Sequence, residues 1–200
     1  YQSMKKFFTL VIVSLLSAMA VQAQRVVINK KDGSKVVVLA KDVQDIKFAP
    51  ASKTDPFIGR YKGADKVKIG GMFSYTSADE VTYEITDNED GTINLIVPEV
   101  TYAKTLMGTL ILGTYTISNI PYNAEKKAFI KAYKEDNIKF RFITKDDSGT
   151  TTRDQEYTFD KDACKVVIAL SDDGKLTINN TYQMGSMPMV IYGTFVGARQ

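Results

Sequence analysis

The chain has 200 residues, of which 44% are apolar and 24% charged, and its 26 basic and 23 acidic side chains leave a formal net charge of +3. That length and apolar content allow one substantial core, while the near balance of interspersed charges argues against the basic face that nucleic-acid binding requires. Histidine is absent, which removes the commonest general base and transition-metal ligand at neutral pH.

Tyr1-Gln2-Ser3 reads as a remnant of tag removal ahead of Met4. From Met4 the chain has the layout of a secretory signal peptide, residues 4–23. Lys5-Lys6 supply the charged start, Phe7–Leu16 the apolar run, and Ser17-Ala18-Met19-Ala20-Val21-Gln22-Ala23 the small residues of a cleavage site. Maturation would begin at Gln24, and loss of Lys5 and Lys6 lowers the net charge from +3 to +1. The apolar run is shorter than the ~20 residues that span a bilayer, and no cysteine follows it for acylation. The expectation is an exported protein with no membrane span after cleavage, located in the periplasm, at the cell surface or outside the cell. If Phe7–Leu16 is retained, its apolar side chains are expected to dock on an apolar groove or a second chain.

Residues 24–50 predict a β-hairpin region. Arg25–Lys30 and Ser34–Leu39 are β-branched runs flanking Lys31-Asp32-Gly33, and Asp-Gly between such runs is a strong hairpin signal. Asp45-Ile46-Lys47-Phe48 adds a candidate third strand. Residues 51–56, with the proline-containing stretch around Ala49–Pro56, read as a linker.

From Phe57 to Gln200 short β-type runs alternate with turns. The spacing predicts strands over Gly59–Lys66, Glu80–Thr86, Thr92–Pro98, Thr109–Ser118, Lys139–Thr144, Glu156–Asp160, Lys165–Leu170, Lys175–Tyr182 and Met189–Val196. Val81, Tyr83 and Ile85 alternate with Thr82, Glu84 and Thr86, and Leu176, Ile178 and Asn180 with Thr177, Asn179 and Thr181. Residues 124–133 carry good helix formers but also suit a turn followed by a strand over Ala128–Tyr133, the reading favoured here. The residues alone thus predict an all-β antiparallel barrel or sandwich.

Three pieces of the stretch from Asp55 to Arg199 carry a family likeness. They are the opening Phe57-Ile58-Gly59-Arg60-Tyr61-Lys62-Gly63, the alternating body with its glycine hairpins, and the closing Tyr192-Gly193-Thr194-Phe195-Val196-Gly197-Ala198-Arg199. With these, residues 57–200 resemble the calycin-like domain family of small secreted proteins from anaerobic Gram-negative bacteria. The Val26–Phe48 piece is similar to a hairpin that often follows the signal in such proteins. Lipocalins open with Gly-x-Trp and pack a late arginine across the tryptophan; here Gly59-Arg60-Tyr61 places tyrosine there, and Arg199 is the late arginine. The resemblance implies an antiparallel up-and-down β-barrel of about eight strands, able to hold one small ligand, with the N-terminal hairpin as an appendage.

Catalytic and metal motifs are not found. Asp87-Asn88-Glu89-Asp90-Gly91 lacks the glycine position and the bidentate glutamate of an EF-hand and reads as a solvated turn, as do Asp146-Asp147 and Asp172-Asp173-Gly174. Cys164, the single cysteine, alternates with Val166 and Ile168 and reads as a buried apolar side chain with no histidine to activate it. In Met184-Gly185-Ser186-Met187-Pro188-Met189 three thioethers can bind Cu(I), form a pliable apolar rim at a barrel mouth, or simply pack around a turn.

The functional expectation is a non-enzymatic binding protein that holds a small, partly apolar or amphipathic molecule, with no cofactor, no metal and no nucleic acid. Tyr61, Tyr83, Tyr115, Phe140 and Met187 are the expected ligand-binding residues inside the barrel. The alternative is a protein-interaction or inhibitor module of the cell envelope, acting through its loops or the N-terminal hairpin. An enzyme would need a carboxylate pair in a deep cleft.

Overall fold

A computed structural model describes residues 25–29, 33–46 and 52–200. The tag remnant, the signal peptide with its docking run Phe7–Leu16, the turn residues Lys31 and Asp32, and Lys47 and Phe48 lie outside the described residues. The chain divides into two compact units between Pro50 and Ala51.

In the first unit β1 (Arg25–Asn29) and β2 (Lys35–Leu39) pair antiparallel, with Val27 opposite Val37 and Ile28 opposite Val36. After β2 the chain makes one 3-10 turn, Ala40–Asp42. Asp45 and Ile46 are not in a strand. This corrects the expected third strand at its described half, Asp45 and Ile46, which do not take strand geometry; a very short run holds strand geometry only as part of a ladder.

The second unit is all-β. Its strands are β3 (Gly59–Ile69), β4 (Phe73–Thr76), β5 (Val81–Asp87), β6 (Thr92–Val97), β7 (Val100–Thr105), β8 (Gly108–Leu112), β9 (Tyr115–Asn123), β10 (Ala128–Ala132), β11 (Lys139–Lys145), β12 (Thr151–Thr158), β13 (Lys165–Leu170), β14 (Leu176–Tyr182) and β15 (Ile191–Arg199). Eight of them close a ring in the order β3, β5, β6, β9, β10, β13, β14, β15, and the ring shuts where β15 pairs with β3 from Ile191–Ile69 to Arg199–Tyr61. Every neighbouring pair is antiparallel. This is the expected up-and-down barrel of eight strands. β4 is an additional strand on the edge of β3.

Two hairpins leave the ring at one end. β7–β8 is inserted between β6 and β9, and β11–β12 between β10 and β13. They pair through β8 and β11 into a four-stranded sheet of order β12, β11, β8, β7. Val100, Tyr102, Leu110, Leu112, Phe140 and Phe142 on this cap sheet are buried in the same core as the barrel, so the cap roofs that mouth.

The cap explains three departures from the sequence expectations. The run Thr109–Ser118 is two strands, because the chain crosses from cap to barrel at Gly113, whose N–H donates to Arg141 O at 2.7 Å. An added Cβ there would stand 3.0 Å from Arg141 Cβ, so a glycine is favoured at the crossing. β12 begins at Thr151 instead of Glu156; as an exposed edge strand, Thr-Thr-Arg-Asp-Gln-Glu-Tyr-Thr has no apolar alternation to read. β7, in the cap and interrupted by a bulge between Tyr102 and Thr105, lies outside the predicted strands; so does β4, which lies apart from the cap on the β3 edge and whose four residues carry too short a pattern to read. In 124–133 the strand reading holds, as β10 follows a turn with Lys127 in the left-handed region.

The opposite end is closed by the segment before β3. Tyr61 is fully buried and donates to Phe57 O at 3.0 Å, and Phe57 packs edge-on against Phe129 at 4.9 Å. Arg199 Nη2 donates to Tyr61 Oη at 2.9 Å and also to Pro56 O, with the guanidinium 5.5 Å from the Tyr61 ring centre. The late arginine therefore packs across the aromatic residue of the first strand, as the lipocalin likeness implies.

Candidate functional site

With both mouths covered, the lumen is a packed core. On β3 the inward register is Tyr61, Gly63, Asp65, Val67 and Ile69, all buried. Asp65 is thus an acidic residue in phase with a core stripe. Its carboxylate accepts from Tyr83 Oη and from Tyr102 Oη, each at 2.5 Å. Burial pushes the Asp65 carboxyl up from its ordinary 3.8, the two tyrosine hydrogen bonds pulling it partly back down. Desolvation first, and then the Asp65 charge, push the phenols of Tyr83 and Tyr102 well up, so both remain donors at any physiological pH. A second polar cluster lies alongside, where Tyr133 Oη donates to Asn180 Oδ1 at 2.8 Å and Asn180 Nδ2 donates to Tyr115 Oη at 2.7 Å.

Between these clusters the lumen retains about 20 Å³, bordered by Asp65, Tyr83, Tyr102, Tyr115, Asn180 and Tyr182. That is room for about one water molecule. An eight-stranded ring is just wide enough for side chains to fill it, and here they do: Phe159 stacks on Phe140 at 4.3 Å and meets Tyr115, Tyr133 and Tyr182 edge-on within 5.5 Å.

The larger spaces lie outside the lumen, at the rim beside the cap. One groove of about 140 Å³ is lined by Ile69, Phe73, Tyr75, Leu106, Met187 and Met189, together with Thr105 and Met107. It is built by three turns from the same barrel end: β3–β4, β7–β8 and the loop between β14 and β15. Leu106 N–H donates to Tyr75 Oη at 3.2 Å, tying the first two together. Gly70 lets the third approach, since an added Cβ would meet Met189 Sδ at 2.7 Å. A second space of about 140 Å³ shares Met107 and Met187 with the first and adds Phe142, Arg153, Tyr157, Met184 and Ser186. The loop that separates them is held by Gln183 Nε2 donating to Met187 O at 2.6 Å and Met187 N–H donating to Met184 O at 3.1 Å.

The five residues expected to share a lumenal site are therefore not gathered around one space. Tyr61 belongs to the closed end, Phe140 to the aromatic stack, Tyr83 and Tyr115 to the small polar void, and Met187 to the rim. Sequence reasoning missed Asp65, Met107 and Arg153. Asp65 was visible as a charge in phase with Tyr61 and Val67 on one strand. Met107 and Arg153 reach the rim only because two separate hairpins pair to form the cap, which no local pattern announces.

A closed eight-stranded antiparallel ring, with the arginine-over-aromatic closure at one end, defines a calycin-type barrel. The family model for the calycin-like beta-barrel domain matches residues 57–198, and the chain belongs to that family. A crystal structure described as that of "a putative outer membrane protein" from Bacteroides fragilis aligns at 20% identity with a TM-score of 0.47, over 74% of this chain and 52% of that one. This chain thus spans about half the length of that protein. No curated protein matches the sequence.

Proposed function

We propose that this is an exported, non-enzymatic binding protein whose small, partly apolar ligand sits at the rim of the barrel and not in its lumen. The observation that carries the reading is the groove of about 140 Å³ walled by Phe73, Leu106, Met107, Met187 and Met189. Leu106 is 73% exposed and Met107 and Met189 are also exposed, so the wall is apolar, open and made of side chains that repack easily. Methionine at such positions adapts to varied partners, and a contiguous exposed apolar groove is the kind of surface that ligand sites use. The lumen supports such a ligand less well, since its residual void has room for about one water.

The test is a titration followed by methyl NMR of methionine-labelled protein, with 1-hexanol as a first small apolar probe. Saturable shifts confined to Met107, Met187 and Met189 are expected. Shifts that do not saturate, or that appear equally at Met72 on the β3–β4 turn, would count against the site.

A second reading keeps the protein-interaction role for the N-terminal hairpin. Val27, Ile28, Val36, Val37 and Leu39 on it are all exposed, an apolar two-stranded ribbon whose edges can accept a further strand. Photo-crosslinking from position 37 in whole envelopes is expected to trap a defined partner under this reading and a smear of products otherwise.

A further inference from the structure

We propose that the rim site takes an amphipathic anion, a short apolar body carrying one carboxylate or phosphate, with Arg153 as the residue that binds the anionic head. This rests on the rim-binding reading above and names its ligand class. The two rim spaces share Met107 and Met187 but differ in chemistry. The first is walled almost wholly by carbon and sulfur, whereas the second brings in the Arg153 guanidinium and the Ser186 hydroxyl. A single molecule bridging them meets apolar surface at one end and donors at the other.

Arg153 is placed for this role by the register of the cap. It lies opposite Thr144 on β11, as Gln155 lies opposite Phe142 and Tyr157 opposite Phe140, so all three project from the core-facing side of the cap sheet. The intervening acids project the other way, and both are paired: Asp154 with Arg141 at 2.5 Å and Glu156 with Lys139 at 2.9 Å. Arg153 makes no ion pair among the described residues; its one polar contact is a long 3.5 Å approach of Nη1 to Tyr157 Oη. The Tyr157 hydroxyl is itself committed as a donor to Gln155 Oε1 at 2.7 Å. An unpaired guanidinium on the inner side of a sheet, over a cavity that also holds a hydroxyl, is a fork that a carboxylate or phosphate fits.

The space sets the size of the apolar part. A dry cavity of about 150 Å³ holds one benzene ring, so the methionine groove suits a body of about six carbons. Gly185, with φ +52°, lets the Met184–Met187 turn lie against the Tyr157 ring, since a Cβ there would stand 2.9 Å from Tyr157 Cε1.

The experiment compares hexanoate, hexyl phosphate and 1-hexanol by the same methionine-methyl titration, on the wild type, Arg153→Ala and Arg153→Lys. At least one anion is expected to bind about tenfold more tightly than 1-hexanol, as one charge-assisted contact allows, with the better head identifying the ligand's source. Arg153→Ala should bring that ratio close to one, Arg153→Lys should keep part of it, and added salt should erode it in the wild type. Because Arg153 sits on an exposed edge strand, both variants should fold, which an unchanged spectrum away from the rim would verify. If 1-hexanol binds at the rim as well as either anion, or Arg153→Ala leaves the preference intact, the anion assignment is wrong and the apolar site survives. If no probe binds there, both readings fall.

Discussion

At the scale of single residues, Asp65 is the group whose environment has the clearest consequence. A carboxylate in a packed barrel, with no ion pair among the described residues, accepts hydrogen bonds from Tyr83 and Tyr102, and its raised pKa means that the folded state holds the proton more tightly than the unfolded chain does. The stability linked to this group is therefore complete below the ordinary value of 3.8 and is lost as the pH rises through the higher folded value. Asp65→Asn keeps the shape and removes the charge, and either tyrosine can turn its hydroxyl to accept from the new amide. The variant should gain stability relative to the wild type as the pH is raised from about 4 towards 7 in a urea-unfolding series. The exposed carboxylates whose pKa values are lowered, such as Asp154 and Asp173, drive the opposite trend in both proteins and cancel in the difference. A difference that does not change with pH would show that Asp65 does not titrate in this range.

Between strands, the seam where β15 meets β3 decides whether the barrel closes. Gly63 stands opposite Gly197 in the register, and a methyl on Gly63 would come 2.1 Å from Val196 O and 2.7 Å from Gly197 Cα. These are backbone atoms that cannot swing aside. Gly63→Ala should therefore cost about 1–3 kcal/mol or more, since overpacking at a fixed backbone has to be relieved by moving a strand; denaturant unfolding reads the loss directly, and a variant as stable as the wild type would mean that the seam is looser than its geometry. This element was also the most legible in the sequence. Alternation on β5 and β14 was readable because one face of each strand is core and the other solvent, and Gly59-Arg60-Tyr61 with Arg199 marked the closure. The cap was not legible, for a physical reason: its hairpins acquire a buried face only by pairing with each other across β8 and β11, and β12, exposed along most of its length, carries no apolar period at all. The rim site inherits that opacity, because Met107 and Arg153 come from the two cap hairpins while only the Met184–Met189 cluster stood out along the chain.

For the barrel unit as a whole, the ring joins β3, near its start, to β15, at its end, so any strand that detaches leaves two unpaired sheet edges. Local opening of a core strand is then nearly as costly as opening the barrel, and such a unit should unfold as one cooperative body. Cys164 offers a direct measurement. It is fully buried just before β13, its carbonyl accepts from Tyr133 N–H at 3.0 Å, and it is the single cysteine of the sequence, so no disulfide exchange competes with its labelling. A thiol reagent can reach the sulfur only when the β10–β13 side of the ring opens. Under native conditions its modification should be slow, and with rising urea its rate should climb with the same slope as global unfolding followed by circular dichroism. Gly63→Ala, far from Cys164 in the chain but on the same ring, should accelerate the labelling in proportion to its loss of stability. Rapid modification in the absence of urea, or a labelling rate indifferent to the Gly63 substitution, would mean that the strand bearing the thiol opens independently and that closure at β3 and β15 does not bind the ring into one unit.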